Sequence, residues 1–133
     1  MNESAVNQWL EDRRLLSKAA KPGCYAIALA LPRSKTEIQD RWHRYYEICP
    51  QEAFLSRLVD CETLLYVGAA HQSIKQRLND HANGYKSPTF LKIFPPIEPY
   101  AFLPCENPEG MEYNYASWLS RKQTRVWSDG GFY

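Results

Sequence analysis

Five side chains stand in an order suited to phosphate chemistry. Tyr25 ends the stretch Gly23-Cys24-Tyr25, and Tyr66 begins Tyr66-Val67-Gly68. Arg77 and His81 follow within Arg77-Leu78-Asn79-Asp80-His81, and Glu112 comes later. Hydrolysis of a phosphodiester needs an activated water, charge stabilisation on the phosphoryl oxygens and help for the leaving oxygen. Arg77 and His81 are four apart, so on a helix they share one side and border the Ile74/Leu78 stripe. A guanidinium held there suits bidentate contact with a phosphate. Glu112 is in helical phase with Ala116 and Leu119, on a core-facing side. A carboxylate in that position is costly unless it is paired or binds a metal. A magnesium ion held by one or two carboxylates, with water and a substrate phosphate, would satisfy it. Each residue also has a structural reading. The tyrosines can be packed strand aromatics, Arg77 and His81 a solvated helix face, and Glu112 an ion-pair partner of Arg77. Glu109 is a second candidate for the inward carboxylate.

The elements that must position these groups follow from period and punctuation. Residues 3–20 read as a helix with Ser4 as a candidate cap, stopped by Lys21-Pro22-Gly23. Residues 24–31 alternate large and small apolar residues, the pattern of a strand covered on both faces. Residues 35–47 and 51–59 read as helices on either side of Pro50. Residues 63–67 form a second strand closed by Gly68. A helix over 73–82 is capped by Ser73 and ended by Asn83-Gly84. Ser87-Pro88 opens a short helix. Residues 97–103 suggest a third strand that Pro99 pushes to an edge. A last helix spans about 109–123, and the tail from Trp127 to Tyr133 turns. The expected fold is mixed α/β (α+β): a small three-stranded, mostly antiparallel sheet flanked by helices. It forms a single domain over 1–133 with an N-terminal helix and a helical insertion at about 33–62.

Composition narrows the function classes. The chain has 133 residues, 44% hydrophobic and 23% charged, with aromatics at 14%. That excludes a disordered protein and leaves room for one sizeable core. Sixteen Lys and Arg against fifteen Asp and Glu give a net charge of +1, which excludes a bulk polycation. Charge is segregated locally. Lys75, Arg77, Lys86 and Lys92 face only Asp80 within 69–96, whereas 97–112 holds Glu98, Glu106, Glu109 and Glu112 and no base. That alternation suits a phosphate beside a metal ion. Cys24, Cys49, Cys61 and Cys105 lack zinc-type spacing and read as buried thiols. The longest apolar run is too short for a bilayer, and the N-terminus has no apolar leader, so the expected location is cytoplasmic.

Taken in order, Gly-Cys-Tyr, Tyr-Val-Gly, the Arg77/His81 helix and Glu112 resemble the GIY-YIG endonuclease family. The resemblance covers about residues 22–31 and 63–122. It implies a tyrosine, Tyr25 or Tyr66, as general base for water, Arg77 on the phosphate, His81 assisting, and Glu112 as metal ligand. Free tyrosine has a pKa of about 10, so the base needs a nearby metal or Arg77. His71 is a candidate base or relay. The implied cofactor is Mg²⁺ or Mn²⁺ and the implied partner DNA, with RNA left open. The sequence departs from the family pattern at Cys24, in a spacing from Tyr66 to Arg77 one residue longer than the commonest, in the long insertion, and in lacking the late asparagine. Ser128 or Asp129 are the candidate replacements for that asparagine. Lys75, Lys86, Ser87 and Lys92 are candidate nucleic-acid contacts, as are Arg41 and Arg44 of the insertion. The insertion interleaves Trp42, Tyr45 and Tyr46 with these bases; a cap on the sheet or a dimer face are its other readings. The expected function is a metal-dependent endonuclease that recognises a DNA structure or acts as a homodimer. The alternatives are a catalytically inactive nucleic-acid-binding module on the same fold and a protein-interaction domain.

Overall fold

The fold is taken from a computed structural model that describes residues 1–129 and 131–133. Two apolar strands form its centre. Strand β1 (Gly23–Leu29) pairs antiparallel with β2 (Thr63–Ala70), and Tyr25 lies opposite Gly68. Both strands are almost wholly buried, as their two apolar faces require. On its other side β1 pairs antiparallel with the edge strand β3 (Pro96–Pro104). The prolines of β3 are tolerated because an edge strand leaves one side unpaired.

Alternate residues of β1 and β2 face two layers, and in β1 the large side chains take one layer and the small ones the other. Tyr25, Ile27, Leu29, Leu64 and Tyr66 join a core with Val6 and Leu10 of α1 (Glu3–Asp12) and with Ile74 and Leu78 of α5 (Ile74–Ala82). Phe90, Leu91 and Ile93 of α6 (Phe90–Ile93) complete that layer. Cys24, Ala26, Leu65 and Val67 face α7 (Pro108–Leu119) through Tyr115 and Ala116. The insertion folds as α3 (Lys35–His43) and α4 (Glu52–Asp60), whose Ile38, Leu55 and Leu58 are buried in the first layer. Arg33 fastens its base by donating to the carbonyls of Cys61 and Glu62.

Several expectations are corrected. The sheet has five strands rather than three, in the order β3-β1-β2-β4-β5. The tail does not simply turn. Strand β4 (Thr124–Ser128) lies parallel to β2, and β5 (Gly131–Phe132) returns beside it. Alternation in β4 explains this. Val126 enters the α7 layer, and Trp127 stacks on Phe90 with centroids 4.2 Å apart on the opposite side. The last helix accordingly ends at Leu119. The single helix over 3–20 is broken at Arg14, which takes a left-handed φ of 57°, and α2 (Leu16–Ala19) follows as a separate turn. Gly68 does not close β2, which continues to Ala70. Cys24 and Cys61 are buried, Cys105 is half-buried, and Cys49 lies on the surface. Among the described residues, no helix is long and apolar enough to cross a membrane.

Candidate functional site

Register and helix phase bring three rings together inside the first layer. Tyr25 packs over Gly68, where a Cβ would overlap its hydroxyl, so only glycine leaves that space. His81 arrives from the last turn of α5. Its ring centroid lies 5.5 Å from that of Tyr25 and 5.3 Å from that of Tyr66, and the tyrosines are 6.3 Å apart. Tyr25 Oη is 2.6 Å from His81 Nε2, and His81 Nδ1 is 2.7 Å from Ser87 Oγ. His81 is only 3% exposed. Burial, then the Arg77 charge, pull its pKa down to about 3, against an opposing effect of Asp80. The imidazole is therefore neutral, and it accepts from one of these two hydroxyls while donating to the other. Tyr25 is raised well above its ordinary value by burial and then by Tyr66, and Arg77 opposes the shift. Tyr66 is raised by burial, Asp129 and Glu112, again against Arg77.

Arg77 sits one helical turn before His81. Its guanidinium donates to the carbonyls of Lys86 at 2.7 Å and Tyr85 at 3.3 Å and meets Asp80 at 3.5 Å. It closes the loop after α5 and does not pair with Glu112. Lys86 takes a left-handed φ of 50° where its carbonyl receives this contact. A cavity of about 340 Å³ opens over Arg77, His71, Ser73, Asp80 and Lys86. The two tyrosines do not line it; they lie beneath the surface.

Glu112 projects from α7 and is half-buried. Burial raises its carboxyl, and Asp129 and Glu109 raise it further. Its charge acts on Tyr25, Tyr66 and Cys24. Glu112 has no ion-pair partner among the described residues. No group of three or more His, Cys, Asp or Glu residues is arranged for a metal among them either. A half-buried, electrostatically crowded carboxylate without a cation fits a divalent ion bound through one protein ligand, water and phosphate. Asp129, named from the sequence as a substitute for a missing asparagine, contributes to that crowding.

The remaining expected contacts divide. His71 is exposed and pairs with exposed Glu109 at 3.1 Å. Lys75 is half-buried on α5. Lys86 extends over the Tyr85 ring beside the Arg77 cavity. Ser87 does not face outward toward a phosphate; it holds His81. Lys92 lies over Tyr45, 5.9 Å from the ring centroid, and lines a separate cavity of about 400 Å³ with Arg41 and Arg44. Arg41 is already engaged with the Ile93 carbonyl and Glu37. The contact that sequence reasoning missed is Ser87–His81, for which six-residue spacing across a glycine turn carries no helical signal. Taken whole, the chain matches no family model, no curated protein and no solved structure.

Proposed function

We propose that the protein is a metal-dependent endonuclease that hydrolyses DNA phosphodiesters, with a GIY-YIG-like arrangement of sheet and site. The observation that carries this reading is the 2.6 Å contact of Tyr25 Oη with His81 Nε2, on which the charges of Arg77 and Glu112 both act. In this reading the attacking water gives its proton to Tyr25 Oη as Tyr25 passes its own to His81 Nε2, His81 passes the Nδ1 proton to Ser87 Oγ, and Ser87 releases its proton to solvent, so neither ring is left charged. The resulting hydroxide forms the new P–O bond as the bond to the leaving oxygen breaks, and solvent protonates that oxygen. Burial opposes a standing charge on Tyr25, and the positive charge of Arg77 eases the loss of its proton within the relay. Three guanidinium donors hold Asp80, Tyr85 and Lys86, and two remain for Tyr25 and a phosphate. Glu112 would hold Mg²⁺ or Mn²⁺, which supplies Lewis-acid stabilisation of the phosphoryl and leaving oxygens.

The test is incubation of purified protein with supercoiled, linear and branched DNA, with Mg²⁺ or Mn²⁺ and with EDTA. Nicking should require the metal. Arg77→Ala and Glu112→Gln, each verified as folded, should lower it by about 100-fold or more. Absence of cleavage by folded wild type on every substrate sinks the proposal. One observation favours a second reading, a binding module without catalysis: Arg77 already serves as a clamp on the loop after α5. That module would bind DNA with an affinity that falls as salt rises, and would cut nothing.

A further inference from the structure

We infer that Cys24 and Cys105 form an oxidation site, in which hydrogen peroxide joins the two thiols in a disulfide beside the start of α7. Strand register brings the pair together. Cys24 of β1 lies opposite Leu103 of β3, and Cys105 follows two residues later. The Cys105 N–H donates to the Pro22 carbonyl at 3.1 Å. The cysteines are therefore diagonal neighbours on one face of an antiparallel pair. Both belong to the layer under α7, and a hydrogen bond joins their side chains. A disulfide closes only over a short span, so one residue must shift inward. Cys105 lies one residue past the end of β3, where the ladder holds the chain least. Neither remaining thiol is placed in this way. Cys49 Sγ meets His43 Nε2 at the surface, and Cys61 donates to the Leu58 carbonyl in the other layer.

Exposure sets the order of events. Cys24 is wholly buried, whereas Cys105 is half-buried and lines a cavity of about 400 Å³ with Lys21, Pro22, Pro104 and Glu106. Peroxide therefore reaches Cys105 first. The Cys105 sulfur attacks one peroxide oxygen, the O–O bond breaks, and a sulfenic acid and one water result. The Cys24 sulfur then attacks that sulfenic sulfur. The S–O bond breaks as the S–S bond forms, and the hydroxyl leaves as a second water with the Cys24 proton. Two thiols are oxidised by two electrons in all, and one peroxide is reduced to two waters. At rest Cys24 Sγ donates to the carbonyl of Pro108, the first residue of α7, at 3.2 Å. The disulfide removes that donor one helical turn before Glu112. Reversible loss of cleavage on oxidation follows, a consequence that rests on the proposed function, whereas the disulfide itself does not.

The test exposes the folded full chain to hydrogen peroxide, alkylates it under denaturing conditions and analyses the digest by mass spectrometry. Wild type should lose two of its four alkylatable thiols and the mass of two hydrogens. A peptide linking Cys24 to Cys105 should appear and should vanish with dithiothreitol. Cys24→Ser should abolish the link and let dimedone trap the sulfenic acid on Cys105. Cys49→Ser should leave the link intact. Thermal melts confirm that each variant folds. The inference is overturned if all four thiols of folded wild type stay alkylatable. It is equally overturned if Cys105 goes on to sulfinic acid unlinked, or if Cys49 carries the only disulfide. None of these readouts needs cleavage, so the site stands or falls apart from the endonuclease. Where nicking is observed, peroxide should suppress it in wild type, dithiothreitol should restore it, and Cys105→Ser should not respond to peroxide. Undiminished nicking by the linked protein overturns the coupling to Glu112.

Discussion

Tyr25 and His81 share a hydrogen bond whose chemistry depends on neither group being charged at rest. The burial that keeps His81 neutral has a consequence for stability. Its folded pKa of about 3 lies below the unfolded value near 6.5. Between those values the unfolded chain binds the extra proton, so stability is complete above 6.5 and falls as pH falls. The loss should approach about 1.4 kcal/mol per pH unit toward pH 3. Urea unfolding at pH 7, 5.5 and 4.5 should show this slope, and His81→Gln should flatten it. Ser87 belongs to the same chain of contacts without touching substrate. Under the proposed function, Ser87→Ala should lower kcat by about 10-fold with KM nearly unchanged, and Ser87→Thr should restore much of it. A KM effect alone would instead place Ser87 on the DNA. His81 was visible in the sequence because one helical turn separates it from Arg77. Ser87 was not, because its contact crosses a turn whose geometry no periodicity encodes.

At the scale of elements, β2 is organised around Gly68. The strand runs on through this residue because the Tyr25 ring occupies the space that a side chain would fill. Gly68→Ala should destabilise the fold by about 1–3 kcal/mol through overpacking. It should also displace Tyr25 from His81, so any cleavage should fall more steeply than stability. Denaturant melts beside nicking assays at a temperature where the variant is folded will separate the two effects. Strands β1 and β2 and helix α5 were legible because their apolar periods are long and clearly bounded. Strand β4 escaped notice because it spans only Thr124–Ser128 and pairs in parallel. A parallel partner is brought in by a helix, here α7, so no tight-turn signal announces it. The break at Arg14 was hidden for a different reason. A helix-forming residue in a left-handed conformation leaves no mark in an amphipathic pattern.

Across the whole molecule, the candidate site draws on both layers: His81 and Arg77 come from one side of the sheet, Glu112 from α7 on the other. The sheet therefore ties the proposed base to the proposed metal ligand. Its two central strands are joined by residues 30–62, the whole α3–α4 insertion. Replacing a four-residue hairpin loop by a connection of this length is roughly three doublings, and closing it costs about 2 kcal/mol more. Prior formation of the helical pair would shorten that search. Buried Ile38 ties α3 into the first layer, and Ile38→Ala should cost about 2–5 kcal/mol. If the pair forms before β1 meets β2, stopped-flow refolding should slow by nearly the full factor while unfolding barely changes. The insertion then has a kinetic role: it sets how quickly newly made chains acquire the strand pairing on which the distant site depends.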